Sequence, residues 1–332
     1  MSSADRPRIL ITGATGFVGC HLTRLLRQET SGELVGLSLH RQWPEHAPDL
    51  ARSVPLVSVN LLEPDRVLEV LRDFAPTHIY HLAGYAEVSR SYREPDAAWE
   101  GNLTATRRLY DAVLTWGGRP RILYVSSGAV YGEPTDPTQP ITERTELRPN
   151  SPYATSKAAA DLLSFEMTCS RGMDIIRVRP FNHIGPGQSP RYALASFAEQ
   201  LAAIEKGLQP PVLRVGNLAS QRDLTDVRDV VAAYRLLMQR AQAGSVFNVA
   251  SGITLPMQTY LDLMLGLSSV KVRVEVDPAL LRPVDTATVR VDVSALKSLT
   301  GWQPRIPMAQ TVADLFNYWR SQVGNKALAE GS

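Results

Sequence analysis

Cysteine is scarce in this chain: the 332 residues include two, Cys20 and Cys169. Neither has a second ligand at the short spacing that a zinc site uses, so we predict no bound metal. We expect both to be small buried residues with reduced thiols.

An excess of charge of one sign is also absent, as are long apolar runs. The chain has 35 lysines and arginines against 33 aspartates and glutamates, a net charge of +2 with no basic stripe. Nucleic acid is therefore not an expected partner. No apolar run is long enough for a membrane span or a secretion signal, and we predict a cytoplasmic protein that does not bind membranes.

The chain does have apolar runs that alternate with amphipathic stretches, and 44% of its residues are hydrophobic. The strand-like runs cover residues 8–14, 33–39, 54–60, 78–84, 121–127 and 174–180. Nearly continuous apolar strands separated by helices predict a parallel sheet covered on both faces. The predicted class is therefore α/β, a Rossmann-type doubly wound parallel sheet.

The pattern changes after Pro180, where a loop rich in glycine and proline begins. Beyond it we predict helices over 193–206, 227–242, 256–266 and 309–322, strands over 245–251 and 271–277, and a loop over 207–226. We assign residues 1–180, with returning segments near 227–252, to a dinucleotide-binding domain. Residues 181–226 and 253–325 are assigned to a smaller α/β lobe.

Three glycines, Gly13, Gly16 and Gly19, follow the first strand-like run in "TGATGFVG". A strand, a tight glycine turn and a helix place backbone N–H groups at a helix N-terminus, which suits a pyrophosphate. We predict that Gly13 makes the turn, Gly16 lets the phosphate approach the backbone, and Gly19 permits close contact between helix and strand. Because glycine turns occur in many folds, this motif alone is a weak signal.

The second strand-like run lacks, at its end, the carboxylate that binds the adenosine ribose of NAD. The stretch "GLSLHRQ" has Ser38 and Arg41 there instead. A hydroxyl and a guanidinium suit a 2′-phosphate, so these residues favour NADP(H), with NAD(H) as the alternative. If Arg41 is only a solvated loop residue, this preference has no basis.

Tyr153 and Lys157 are four residues apart in "SPYATSKAAAD", a spacing that puts both on one face of a helix. An ammonium beside a phenol lowers the phenol pKa, so we predict that Lys157 makes Tyr153 a usable proton donor or acceptor. Ser127 ends the run "RILYVSS". Because the carboxyl ends of parallel strands border the ligand crevice, Ser127 can bind the same substrate oxygen.

Over nearly its whole length the chain resembles the extended short-chain dehydrogenase/reductase family. Besides the glycine loop, the stretches that carry the resemblance are "HLAG", "NLTAT", "YVSSGAVYG", "YATSK", "RPFNHIGPGQ", "RDLTDVRDVV" and "GWQP". The resemblance implies a nucleotide-sugar-binding lobe and the catalytic trio Ser127, Tyr153 and Lys157, the last two of which also hold the cofactor. It further implies a homodimer. The other cofactor contacts that it implies are Thr15, Phe17, Val18, Asn60, Leu61, Leu82, Ala83, Gly84, Asn102 and Pro180.

Two of these positions carry specific expectations. Relatives usually have an aspartate at position 60 to accept from the adenine amine, and the amide oxygen of Asn60 can still accept that bond. Asn102 is expected to steady Lys157 through a water molecule.

The two residues after Ser127 distinguish reactions within the family. Members that eliminate water resemble each other in having an acid/base pair where this chain has Gly128 and Ala129. Neither residue can carry a proton, which argues against a 4,6-dehydratase. The chemistry that remains is reduction of a ketone, or epimerisation through a transient 4-keto sugar.

The distal half resembles the GDP-sugar members of the family. The resemblance implies substrate contacts at Asn182, Asn217, Arg222, Arg282 and Asp285. Asp226 is expected to cap the following helix, with Asp229 in its first turn. The expected activity is NADPH-dependent reduction of the C4 ketone of GDP-4-keto-6-deoxy-D-mannose to GDP-D-rhamnose. A nucleotide-sugar 4-epimerase or 4,6-dehydratase, and a cofactor-sensing regulator without activity, are the alternatives.

Overall fold

A computed structural model describes residues 6–133, 136, 138–281 and 290–330 of the chain. The strands are β1 Arg8–Thr12, β2 Glu33–Ser38, β3 Leu56–Ser58, β4 His78–His81, β5 Arg121–Val125, β6 Ile175–Pro180, β7 His183–Ile184, β8 Val212–Val215, β9 Gln221–Asp223, β10 Thr225–Asp226, β11 Val246–Val249, β12 Thr254–Pro256 and β13 Arg273–Val276. Seven of them form one parallel sheet in the order β11-β6-β5-β4-β1-β2-β3. The predicted Rossmann-type sheet is confirmed, and β11 is the segment that returns to it.

The α-helices are α1 Phe17–Glu29, α2 Pro48–Ala51, α3 Pro64–Phe74, α4 Val88–Ser91, α5 Pro95–Trp99, α6 Ala105–Trp116, α7 Pro152–Arg171, α8 Ala193–Glu205, α9 Val227–Arg240, α10 Met257–Leu265, α11 Ser294–Thr300 and α12 Met308–Glu330. A turn of π-helix, Glu100–Thr104, joins α5 to α6. The four helices predicted after Pro180 correspond to α8, α9, α10 and α12. In the described part of the chain, no helix has both the length and the apolar character needed to cross a bilayer.

The segment 207–226, predicted as a loop, contains three short strands, so that prediction is wrong. β8 pairs with β13, β9 pairs with β12, and β10 pairs with β7. Each strand has two to four residues, and its partner is distant in sequence. Runs this short show no hydrophobic period of their own, because the pairing that stabilises them is non-local.

Alternate residues of each central strand enter different hydrophobic cores. Ile9 and Ile11 of β1 pack on one face of the sheet, and Leu10 between them packs on the other. This is the period of two expected for a strand buried on both faces. A third core lies apart from the sheet and is built mainly by α8, α10 and α12 around residues such as Phe197 and Phe316.

The two cysteines differ in exposure. Cys20 is buried in a core, and burial raises the pKa of its thiol to about 11. Cys169 is exposed, so the prediction that it is buried was wrong. The buried face of α7 runs from Ala154 to Ser164, and Cys169 lies outside it, near the end of the helix.

Candidate active site

The glycine turn has the predicted backbone geometry. Gly13 has a φ of +70°, and a Cβ there would lie 2.8 Å from the backbone nitrogen of Ala83. A Cβ on Gly19 would lie 2.3 Å from the carbonyl oxygen of Gly13, so α1 packs directly on the turn. Gly16 is the N-cap of α1, and no side chain caps that helix end. The turn therefore presents helix N–H groups to solvent, as a phosphate site requires.

Residues predicted to contact a cofactor lie around this turn. Phe17 and Val18 are the first residues of α1, and Leu82 and Ala83 follow β4 beside Gly13. The Phe17 ring stacks on the imidazole of His183, with 6.0 Å between the ring centres.

A cavity of about 430 Å³ opens beside the turn, lined by Thr15, His40, Arg41, Gln42 and Pro44. The hydroxyls of Thr15 and Ser38 are 2.5 Å apart, and Ser38 also accepts from the His40 N–H. Thr15, Ser38 and Arg41 are thus brought together. His40 and Gln42 were missed, although they flank Arg41 in the same loop.

Asn60 lies just beyond β3, next to the buried Leu61. The amide oxygen of Asn60 accepts a hydrogen bond of 3.0 Å from the backbone N–H of Leu62. The oxygen assigned to adenine thus already accepts a bond in a local turn, and one lone pair remains for a ligand.

The three residues of the predicted trio meet at the carboxyl end of β5. Ser127 caps a short 3₁₀ turn, Gly128–Tyr131, and its side chain is hydrogen-bonded to that of Tyr153. Lys157 is one helical turn beyond Tyr153 and is buried, and its Nζ donates to the carbonyl oxygen of Val125 at 2.9 Å. The strand end and the first turns of α7 therefore assemble the trio.

Burial dominates the electrostatics of the trio. It raises the pKa of Tyr153 to about 12, although the hydrogen bond with Ser127 acts in the opposite direction. Burial lowers the pKa of Lys157 to about 8, against the attraction of Asp161. In this structure burial outweighs the groups that lower the Tyr153 pKa, and the Lys157 ammonium bonds the Val125 carbonyl, so the activation of Tyr153 by Lys157 stays a prediction. At neutral pH the phenol is protonated and is a proton donor.

Asn102 and Gly84 lie next to Lys157 of the trio. The Asn102 amide nitrogen donates to Ser156 Oγ at 2.9 Å, and no hydrogen-bond partner for its Oδ1 occurs among the described residues. A Cβ on Gly84 would lie 2.5 Å from that Oδ1 and 3.2 Å from Lys157 Nζ. Gly84, Asn102 and Lys157 therefore converge, and an orphan acceptor is buried where they meet.

The turn after Ser127 has no acid or base at its first two positions, Gly128 and Ala129. A Cβ on Gly128 would also lie 2.8 Å from the ring of Phe181. Within the described ranges, no cluster of three His, Cys, Asp or Glu side chains suits a metal ion.

The residues predicted to bind substrate are placed as follows. Asn182 is exposed just after β6, whose last residue, Pro180, is one of the predicted cofactor contacts. Asn217 is exposed between β8 and β9, and Arg222 lies on β9 with its carbonyl bonded by the Tyr260 hydroxyl. The other two predicted contacts, Arg282 and Asp285, lie outside the described residues.

The two aspartates expected at the start of α9 have different roles. Asp226 caps the helix by accepting the Arg228 N–H at 2.7 Å, as predicted. Asp229 is in the first turn, and its carboxylate accepts the N–H groups of Arg305 and Ile306. Asp229 therefore also holds the segment before α12.

Sequence reasoning missed Ser91, whose Oγ accepts the Tyr153 N–H at 3.2 Å and donates to the Val88 carbonyl. Ser91 is fully buried and positions the first turn of α7. Its four-residue helix is too short to show a periodic signal.

Comparison with known proteins gives consistent matches over nearly the whole chain. The family described as GDP-mannose 4,6 dehydratase matches residues 10–315. GDP-6-deoxy-D-mannose reductase of Pseudomonas aeruginosa is 34% identical over 316 residues, which cover 95% of this chain and 98% of that protein. The solved complex of RMD from Pseudomonas aeruginosa with NADPH has a TM-score of 0.81 at 33% identity, covering 95% of this chain and 99% of that one. The complex of Thermus thermophilus UDP-glucose 4-epimerase with NAD has a TM-score of 0.82 at 28% identity, covering 94% and 99%.

Proposed function

This chain belongs to the GDP-mannose 4,6 dehydratase family, and from that premise we propose that it is an NADPH-dependent reductase. The substrate is GDP-4-keto-6-deoxy-D-mannose, whose C4 ketone is reduced to give GDP-D-rhamnose. The observation that carries this choice is the Gly128–Ala129 turn beside Ser127 and Tyr153. A dehydratase needs an acid and a base there, whereas a reductase needs only a proton donor and a hydride.

The residues present fit a dinucleotide. Gly16, the N-cap of α1, is exposed and has no Cβ, so a phosphate can approach the backbone at the N-terminus of that helix. The cavity by Thr15 and Arg41 provides a hydroxyl and a guanidinium for a 2′-phosphate. When bound, NADPH supplies the hydride for C4.

The side chains of the trio complete the reduction. Tyr153 donates its phenolic proton to the C4 oxygen, and its high pKa keeps that proton in place at neutral pH. The Ser127 hydroxyl orients the same oxygen. The Lys157 ammonium, buried one turn away, provides positive charge where the alkoxide and the phenolate develop.

The GDP-sugar lies, in this proposal, in the lobe of residues 181–226 and 253–325, against the domain of residues 1–180 with 227–252. Its contacts are Asn182, Asn217, Arg222, Arg282 and Asp285. Guanidinium groups suit diphosphate oxygens, which supports the two arginines.

Purified protein with GDP-4-keto-6-deoxy-D-mannose and NADPH tests the proposal. We expect NADPH to be consumed in equal amount to the GDP-deoxyhexose formed, and GDP-mannose alone to be unchanged. Conversion of GDP-mannose to the keto sugar without consumption of NADPH would identify a dehydratase instead.

Replacement of Arg41 by alanine tests the cofactor preference. We expect the KM for NADPH to rise about 10- to 100-fold, because a charge-assisted bond to the 2′-phosphate is lost, while the KM for NADH is unchanged. Steady-state kinetics with both cofactors measure this effect, and Arg52→Ala, in the turn after α2, is the control. Equal effects on both cofactors would show that Arg41 does not read the 2′-phosphate.

The pKa of Lys157 predicts that kcat decreases at alkaline pH, as a descending limb of the pH–rate profile. Because that pKa is about 8, raising the pH removes the ammonium proton first, while Tyr153 remains protonated. We expect kcat to fall above about pH 8 in a profile from about pH 6 to about pH 10. Lys157→Arg, which keeps its charge throughout, should be slower and lack this limb. If kcat of Lys157→Arg also fell above about pH 8, the titrating group would be a residue other than Lys157.

We also propose a homodimer, formed through α6 and α7. Both helices expose large apolar side chains: Leu114 is 39% exposed, Leu162 57% and Phe165 45%. Burying such a patch in a symmetric pair removes apolar surface from water. Leu162→Glu should give a monomer in light scattering after size exclusion, whereas Leu299→Glu on α11 should not. A wild-type monomer would contradict this proposal.

A further inference from the structure

A row of buried hydrogen bonds runs beneath the site, from the end of β1 to the π-helical turn. Thr12 Oγ1 is 2.8 Å from His81 Nδ1, and His81 Nε2 is 3.0 Å from Thr106 Oγ1. The Thr106 hydroxyl donates to the carbonyl oxygen of Asn102 at 2.5 Å. Thr12, His81 and Thr106 have no exposed surface, and Asn102 is 1% exposed.

The direction of every proton in this row is determined. The Thr106 hydroxyl gives its only proton to Asn102, so toward His81 it can only accept, and Nε2 carries a proton. Complete burial lowers the pKa of His81 to about 3, so the ring is neutral and Nδ1 accepts from the Thr12 hydroxyl. Thr12 in turn accepts the N–H of Ala83 at 3.1 Å. The row thus joins the loop after β4 to the turn that carries Asn102.

Both ends of the row adjoin the proposed chemistry. Thr12 precedes Gly13 of the glycine turn, and Ala83 precedes Gly84. At the other end, Asn102 directs an orphan Oδ1 at the point where Gly84 and Lys157 meet. A turn of π-helix is held only when its surroundings favour it, and such turns are frequent at functional sites. The Thr106 hydroxyl is one of the groups that hold it.

We propose that His81 and Thr106 are positioning residues. They hold the Glu100–Thr104 turn so that the Asn102 side chain keeps its position beside Lys157 and Gly84. The proposal rests on the proposed reductase function. Neither residue touches the reacting atoms: His81 acts through Thr106, and Thr106 acts through the Asn102 carbonyl. The buried row does more than stabilise the sheet, because it fixes the separation of two loops that both border the site.

Thr106→Val tests the proposal, because valine has nearly the shape of threonine and lacks the hydroxyl. We expect kcat to fall about tenfold, with the KM for the keto sugar and the Kd for NADPH within about twofold of wild type, since displacement of a catalytic group affects the transition state most. Thr106→Ser restores the hydroxyl and should recover kcat to within about threefold. Thr115→Val is the matched control: Thr115 lies on the same helix and makes the same kind of bond, to the Asp111 carbonyl, in an exposed place.

Amide hydrogen exchange across residues 100–106, measured without any sugar, accompanies the kinetics. Faster exchange in Thr106→Val than in Thr115→Val, with the split between kcat and KM, supports the proposal. A kcat in Thr106→Val equal to that in Thr115→Val overturns it, as does a loss that serine does not recover. If the wild-type protein does not turn over the keto sugar, the reductase function fails, and equal exchange in the two valine variants would then overturn the positioning role independently.

Discussion

Tyr153→Phe is expected to lower kcat about 1000-fold, while NADPH binds within about twofold of its wild-type affinity. The phenylalanine keeps the ring, and it removes the hydroxyl that is bonded to Ser127 and that donates the proton to C4. Stopped-flow reduction of the keto sugar gives kcat, and fluorescence titration gives the Kd of NADPH.

Tyr92→Phe is the control for this experiment. Tyr92 is 62% exposed, and its hydroxyl donates to the carbonyl oxygen of Asn150 rather than to a side chain of the trio. It should keep kcat within about twofold. If Tyr153→Phe retained activity, the proton donor would be another group, and the role given to Ser127 would also fail.

Gly19→Ala is expected to weaken NADPH binding about 100-fold or more and to lower the melting temperature. A Cβ at this position would lie 2.3 Å from the Gly13 carbonyl and 2.6 Å from that of Ala14. Both atoms are backbone, so the turn itself must move, and with it the N–H groups offered to the pyrophosphate. Fluorescence titration with NADPH measures the loss.

Gly301→Ala is the control for Gly19→Ala, because it introduces backbone strain without changing the glycine turn. Gly301 has a φ of +71°, and apart from its two chain neighbours no described residue has an atom within 4 Å of a Cβ placed there. It should cost about 1 kcal/mol of folding free energy and leave NADPH binding unchanged. Wild-type affinity in Gly19→Ala would show that the turn does not hold the pyrophosphate.

The features that the sequence predicted well are local and repetitive. The run around Ile9 to Ile11 is apolar on both faces of its strand, so its burial in a central parallel sheet followed from the pattern alone. The positive φ of Gly13 and the close packing of Gly19 followed from the glycine spacing after that strand. Tyr153 and Lys157 share a helix, so their common face followed from the 3.6-residue period.

The features that the sequence did not predict depend on contacts between distant segments. The pKa of Tyr153 is set by burial, which only the folded chain defines. Ser91 holds the start of α7 across 62 residues of sequence, and His81 reaches Thr106 across 25. The strands β8 and β9 exist because β13 and β12 pair with them. No local pattern encodes such pairings.

Transfer of deuterium is the most direct test of the central claim, that this site passes a hydride from NADPH to C4 of a GDP-4-keto sugar. The protein is supplied with the keto sugar and with NADPH dideuterated at C4 of the nicotinamide ring, and the product is examined by mass spectrometry and NMR. We predict GDP-D-rhamnose with a single deuterium, at C4 of the sugar. A keto sugar left unreduced with all deuterium on the cofactor, or a product labelled at another carbon, would contradict the account.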